Sequence, residues 1–177
     1  MVSGHSKGAL TAIRQISEMQ VDVPMLAMTH CDASKLAKQH GKKAEYALCA
    51  AQWHKSLSYS DSYFGDGMKF DKDFTDEYGY APPYQAAESA AALLVYKDAF
   101  ERANSFDKEK VRDALAQTDM QTFYGNVKFH ETGQNIAKPM VLFQVICEGD
   151  TCENKVVAPT KWASTTLVHP IPKWSER

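Results

Sequence analysis

Apolar residues recur at Ala9, Leu10, Ile13, Ile16 and Met19, a 3.6-residue stripe that predicts a helix over residues 5–19. The short apolar run Val23 to Met28 reads as a buried strand. Asp32 can cap a helix carrying Ala33, Leu36 and Ala37 and stopping at Gly41, and Tyr46 to Ala51 is a second apolar strand. Residues 1–4 look like the end of an earlier strand. The order strand, helix, strand, helix, strand over residues 1–51 implies a parallel sheet with crossover helices.

The pattern changes after Gln52. Lys55 to Gly67 is rich in Ser, Asp and Gly and reads as a loop. Phe70, Phe74 and Tyr78 then recur at helical spacing before Gly79. Pro82-Pro83 opens a long helix whose inner face is small: Ala86, Ala87, Ala90, Ala91, Leu94 and Ala103. Asp107 is a good N-cap for Lys108 to Gln117. Phe123 to Phe129 is strand-like, and Met140 to Ile146 with Lys155 to Val157 forms a hairpin. Beyond Pro159 the chain reads as an extended tail that packs Trp162 and Trp174 onto the surface. The shift around residues 52–62 marks the crossing between two lobes.

Composition narrows the function classes. Of 177 residues, 44% are hydrophobic and 24% charged, an ordinary globular balance. The net charge of −2 gives no general attraction for nucleic acid, which needs clustered Lys and Arg. No apolar run approaches the roughly 20 residues of a membrane span. Residues 1–10 lack the apolar core of a signal peptide, so the chain is either cytosolic or begins after its natural start. Cys147 and Cys152 bracket a polar turn between apolar runs, where a hairpin would bring the sulfurs together as a disulfide. Oxidation would favour an extracytoplasmic home. Cys31 and Cys49 lie beside and within apolar segments and read as buried free thiols.

Motifs for catalysis are missing. The sequence has neither a Gly-rich phosphate loop nor a Gly-x-Ser-x-Gly elbow. Its six histidines are scattered, and a zinc site built on Cys147 and Cys152 lacks two further ligands. Asp71, Asp73, Asp76 and Glu77 fall on the outer face of a helix, where solvation is their role. No cofactor, metal or catalytic residue is expected, and an enzyme is disfavoured. What remains is positional. In an open parallel sheet, ligands bind beyond the carboxyl ends of the strands. Two such ends are Ser3-Gly4-His5-Ser6 and Thr29-His30-Cys31. His5, Ser6, Thr29 and His30 are therefore candidate contacts for a small solute with a carboxylate or amide.

A longer set of residues carries a resemblance. It runs from Gln52-Trp53 and Phe64-Gly65 through Tyr78-Gly79-Tyr80-Ala81-Pro82-Pro83-Tyr84-Gln85-Ala86-Ala87. It continues with Asp98-Ala99-Phe100-Glu101-Arg102-Ala103, Asp107 to Leu115, Tyr124-Gly125-Asn126-Val127-Lys128-Phe129 and Gly133-Gln134-Asn135. It ends on Pro170-Ile171-Pro172-Lys173-Trp174-Ser175-Glu176-Arg177. In order and spacing this ensemble resembles the C-terminal half of type I periplasmic solute-binding proteins of the branched-chain amino acid and amide class.

The resemblance implies an α/β fold with a parallel sheet in three α/β/α layers, here as an incomplete two-lobe clamshell. Residues 1–54 with 139–177 would belong to the second lobe, and 55–138 to the returning segment of the first. It implies a non-enzymatic, periplasmic solute-binding subunit of an ABC importer. The partners would be a small organic solute and a membrane permease, with no nucleic acid. The solute would be an amide, carboxylate, aromatic acid or branched-chain amino acid. In the amino acid binders an acid holds the ligand's ammonium group; the matching position here is Thr29, which is uncharged and favours the other solutes. Trp53, at the crossing, would wall the cleft or pack the hinge. An incomplete fold would expose strand edges, so a homodimer or segment swap is expected. The alternatives are a ligand-sensing receptor domain of the same fold and a cytosolic α/β enzyme.

Overall fold

A computed structural model describes residues 1–29, 36, 39–138 and 140–177, with the side chain of Ser6 left aside. The chain forms two compact units, Met1–Ala51 with Met140–Arg177, and Gln52–Pro139.

The first unit is built on a sheet of order β1-β2-β7-β8. Here β1 is Ala27–Met28, β2 Leu48–Ala51, β7 Val141–Glu148 and β8 Thr151–Ala158. β1 and β2 run parallel, pairing Ala27 with Leu48 and Met28 with Cys49. A parallel bridge between Val2 and Met28 adds residues 1–4 to the same edge. The 140–158 hairpin then adds two antiparallel strands, with Ala51 opposite Val141 and Cys147 opposite Cys152. The sheet is thus mixed rather than wholly parallel, because a tight turn at Gly149 (φ +61°) can join only antiparallel neighbours.

Helix α1, Ser6–Glu18, buries Ala9 and Ile13 as its stripe requires. Leu26, Met28, Leu48, Phe143, Val145 and Val156 complete that core. Leu36 is buried, Gln39 and His40 are helical, and a 3₁₀ turn follows over Gly41–Ala44; the Asp32 cap, Ala33 and Ala37 lie outside the described residues. The C-terminal tail is held where Trp174 donates its backbone N–H to Asp22 at 2.9 Å and its indole N–H to the Val21 carbonyl at 3.0 Å. No helix among the described residues is long and apolar enough to cross a membrane.

The second unit begins with two short paired strands, β3 Ser60–Asp61 and β4 Gly65–Asp66, inside the stretch expected to be loop. Helix α2, Gly67–Tyr78, starts where the Asp66 side chain accepts the Lys69 N–H and stops at left-handed Gly79. Helix α3, Tyr84–Ala103, follows Pro83 and buries Ala87, Ala91, Leu94, Val95 and Ala99. Helix α4, Lys108–Ala116, is capped by Asp107, whose carboxylate accepts the N–H groups of Glu109 and Lys110. The hairpin β5 Asp119–Thr122 and β6 Gly125–Lys128 closes the unit.

Its core is aromatic. Phe70 stacks on Phe123 with ring centroids 4.3 Å apart, and Trp53 meets both edge-on. The acidic face of α2 is solvated: Asp73 and Asp76 pair with Lys69 and Lys72 one turn earlier. Asp71 instead pairs with Lys55 at 2.8 Å.

Candidate functional site

Three segments of the first unit meet at the carboxyl end of β1. The Val2 N–H donates to the Ala27 carbonyl at 2.8 Å, and the Thr29 N–H to the Val2 carbonyl at 3.1 Å. That parallel register carries Ser3 and Gly4 alongside Thr29. The Thr29 hydroxyl oxygen accepts the Gly4 N–H at 3.2 Å and lies 3.5 Å from the Ser3 hydroxyl. One residue on, the chain turns into α1. His5 is the N-cap, extended at φ −79° and ψ 168°, and its side chain makes no capping hydrogen bond. Its carbonyl accepts from Gly8 and Ala9. His5 is exposed, and Ser6 is the first residue of the helix.

The geometry therefore brings His5, Ser6 and Thr29 together at one strand-to-helix junction. The first turn of a helix directs N–H groups and the positive end of its dipole at this place. Such a junction suits a carboxylate or amide oxygen. Neither His5 nor Thr29 brings a carboxylate to it. His30 lies outside the described residues.

Trp53 is placed elsewhere. It is 5% exposed in the core of the second unit, with its indole N–H buried and, among the described residues, without a hydrogen-bond partner. Its ring packs there on Phe70 and Phe123. His54, in the same unit, contacts the Ser56 hydroxyl at 2.8 Å rather than a carboxylate. Burial, with Lys55 beside it, pushes the His54 imidazole below its ordinary pKa. Among the described residues no hydrogen bond joins the His54 ring to a carboxylate, though Asp71 is near enough to oppose that shift weakly. Among the described residues no group of three or more His, Cys, Asp or Glu is placed to hold a metal.

Cys147 and Cys152 form a disulfide with Cα atoms 4.0 Å apart. Cys49 is disulfide-bonded too, which corrects the expectation of a free thiol. A buried half-cystine and a buried thiol occupy the same kind of apolar strand position, so patterning cannot separate them. The reading of Cys31 lies outside the described residues.

A feature with no sequence signal is a cavity of about 570 Å³ within the second unit. Gln52, Glu88, Val95, Tyr124, Val127 and Lys138 are among its walls. The Lys138 ammonium lies 3.7 Å from the centre of the Tyr124 ring and donates to the Gln52 carbonyl. Burial lowers the Lys138 pKa to about 8, against a weaker opposing pull from Glu88. Burial, with Glu88 and Tyr84 nearby, raises the Tyr124 phenol well above its usual range.

The family model described as "Periplasmic binding protein" matches residues 1–151. Solved structures share the fold. A leucine-binding protein from Thermotoga maritima is 23% identical over 90% of this chain and 44% of its own, with a TM-score of 0.69. The leucine-, isoleucine-, valine-, threonine- and alanine-binding protein of Brucella ovis, in a closed conformation, is 13% identical over 96% of this chain and 45% of its own, with a TM-score of 0.71. A solute-binding protein of an ABC transporter from R. palustris, in complex with benzoate, is 16% identical over 89% and 43%, with a TM-score of 0.62. The chain thus spans less than half the length of each of these structures.

Proposed function

The chain belongs to the periplasmic binding protein family, and from that membership we propose that it is part of the solute-binding subunit of an ABC importer. The solute is an amide, a carboxylate or an aromatic acid in preference to a plain α-amino acid. In the whole protein two lobes would enclose it, the unit Met1–Ala51 with Met140–Arg177 contributing to one and the unit Gln52–Pro139 to the other. The importer's permease would be the membrane partner. The family is extracytoplasmic, and the disulfide-bonded Cys147, Cys152 and Cys49 agree with an oxidising compartment.

The observation that carries the reading is the junction of Gly4, His5 and Thr29. The Thr29 hydroxyl meets the chain at the Gly4 N–H, one residue before the exposed His5 imidazole and two before the start of α1. These groups recognise oxygen acceptors and neutral polar groups. An ammonium would find neither of the two side chains anionic, so its desolvation would go uncompensated. Removing solute from water between closing lobes would supply the affinity.

The test is a thermal-shift screen of amides, amino acids and aromatic acids, followed by calorimetry on the hits. We expect a carboxylate or amide to stabilise the protein, and His5→Ala to weaken it at least tenfold. Tightest binding by an α-amino acid that needs its ammonium group, undiminished by His5→Ala and Thr29→Val, would overturn the assignment.

A further inference from the structure

The cavity of the second unit shares no residue with the junction just described, since its walls come only from residues 52–138. Its volume of about 570 Å³ falls in the range of small-molecule sites, roughly 300–1,000 Å³. Ala91, Ala92 and Val95 of α3, Leu115 of α4 and Val127 of β6 make one side apolar. The charged groups facing it are Glu88 on α3, Arg112 on α4, and His130, Glu131 and Lys138 beyond β6. Arg112 is neutralised by Glu109 and Asp113 on its own helix. Lys138 differs: among the described residues no carboxylate lies within 4.0 Å of its ammonium.

The Lys138 side chain is also held in place. Gly125, at φ +146°, passes so close that a Cβ there would sit 2.7 Å from both Cδ and Cε of Lys138. The Tyr124 ring and the Gln52 carbonyl occupy two directions around the ammonium. An ammonium has three N–H donors, so at least one remains for a further acceptor. A partly desolvated, unpaired cation beside an apolar wall is unfavourable, and an anion with an apolar tail would relieve both features at once.

We propose that this cavity binds a small amphipathic carboxylate, its carboxylate paired with Lys138 and its apolar tail lying along Ala91, Ala92, Val95 and Leu115. The lowered Lys138 pKa agrees with an ammonium lacking its counter-charge, and pairing would raise it, so binding near pH 8 takes up a proton. Glu88 opposes the ligand's charge, and Tyr96, Arg112, Tyr124, His130 and Glu131 are the other ionisable side chains among the cavity's walls.

The probes are hexanoate and 3-phenylpropionate, with hexanamide and hexanol as uncharged controls, titrated calorimetrically at pH 8 in buffers of different ionisation heat. We expect both acids to bind with proton uptake and the controls to bind at least tenfold more weakly. Lys138→Met should lose the acids at least tenfold. Ala92→Phe, which fills the cavity from an exposed helix position, should lose them while leaving Lys138 in place. Thr29→Val and His5→Ala should leave this binding unchanged, which separates it from the site in the first unit. Equal binding of hexanol, retention in both Lys138→Met and Ala92→Phe, or loss on His5→Ala would overturn the proposal.

Discussion

The Thr29 hydroxyl accepts a hydrogen bond from the Gly4 N–H at 3.2 Å, tying the approach to α1 to the end of β1. Thr29 is thus a positioning residue as well as a candidate contact. Thr29→Val removes the acceptor while keeping the shape, and should reduce stability by about 1 kcal/mol. Hydrogen exchange at the Gly4 amide should quicken in that variant. Thr29→Ser, which keeps the hydroxyl, should restore slow exchange. Unchanged exchange in Thr29→Val would show that Gly4 does not depend on this bond.

Gln144 is fully buried between β2 and β8 and fastens the C-terminal tail. Its amide nitrogen donates to the carbonyls of Tyr46 at 3.0 Å and Val168 at 3.1 Å, and its oxygen accepts the Val168 N–H at 2.9 Å. Gln144→Leu would leave three backbone groups without their partner. The expected loss is about 3 kcal/mol. Urea unfolding should show it, and limited proteolysis should cut the tail beyond Pro159 faster than in the parent. Unchanged proteolysis would assign the tail's hold to Trp174 and to the Ile171 N–H, which donates to the Pro24 carbonyl at 3.0 Å, instead.

Much of this fold was readable because its signals are local. The spacing of Ala9 and Ile13, the caps Asp107 and Gly79 and the Pro83 start each concern one element and its nearest turn. The bracketing of a turn by Cys147 and Cys152 is equally local. β5 was not foreseen, because Asp-Met-Gln-Thr has neither alternation nor β-branched enrichment and forms only by pairing with β6. Gln144 sits in an apolar run and looks like an ordinary strand residue; its task depends on Val168, 24 residues away. At the candidate junction, polar residues after a strand were legible, whereas the bond from Thr29 to Gly4 spans 25 residues. The cavity is assembled from four stretches of chain between Gln52 and Lys138, so its existence depends wholly on packing.

Asp61 joins two turns of the second unit with one carboxylate. One oxygen accepts the N–H groups of Tyr63 at 2.9 Å and Phe64 at 2.8 Å, and the other accepts the Phe123 N–H at 2.7 Å. It thereby sets the strand pair β3–β4 against the aromatic core around Phe70 and Phe123. Asp61→Ala should lose about 3 kcal/mol, since hydrogen bonds to a charged acceptor are the stronger kind. Asp61→Asn keeps the oxygen for Tyr63 and Phe64 but offers Phe123 a donor in place of an acceptor, so an intermediate loss is expected. Chemical denaturation of the three proteins checks the order. Equal losses for both variants would mean that the Phe123 bond carries the whole effect.

Lys138 gives the second unit a distinct alkaline response. Its pKa falls from 10.5 in an open chain to about 8 in the fold, because burial disfavours the ammonium. Below pH 8 both states are protonated and the folded state bears the full desolvation penalty. Between pH 8 and 10.5 the unfolded chain binds more protons than the folded one, so this group makes stability rise with pH. The slope is at most about 1.4 kcal/mol per pH unit. Lys138→Met removes the titration but not the apolar stem. Groups common to both proteins cancel in the comparison to first order. Urea unfolding of parent and variant at pH 7, 8.5 and 10 should therefore show the parent gaining on Lys138→Met as pH rises. Parallel pH profiles would mean that Lys138 is fully solvated, and the counter-charge argument for the cavity would fall with it.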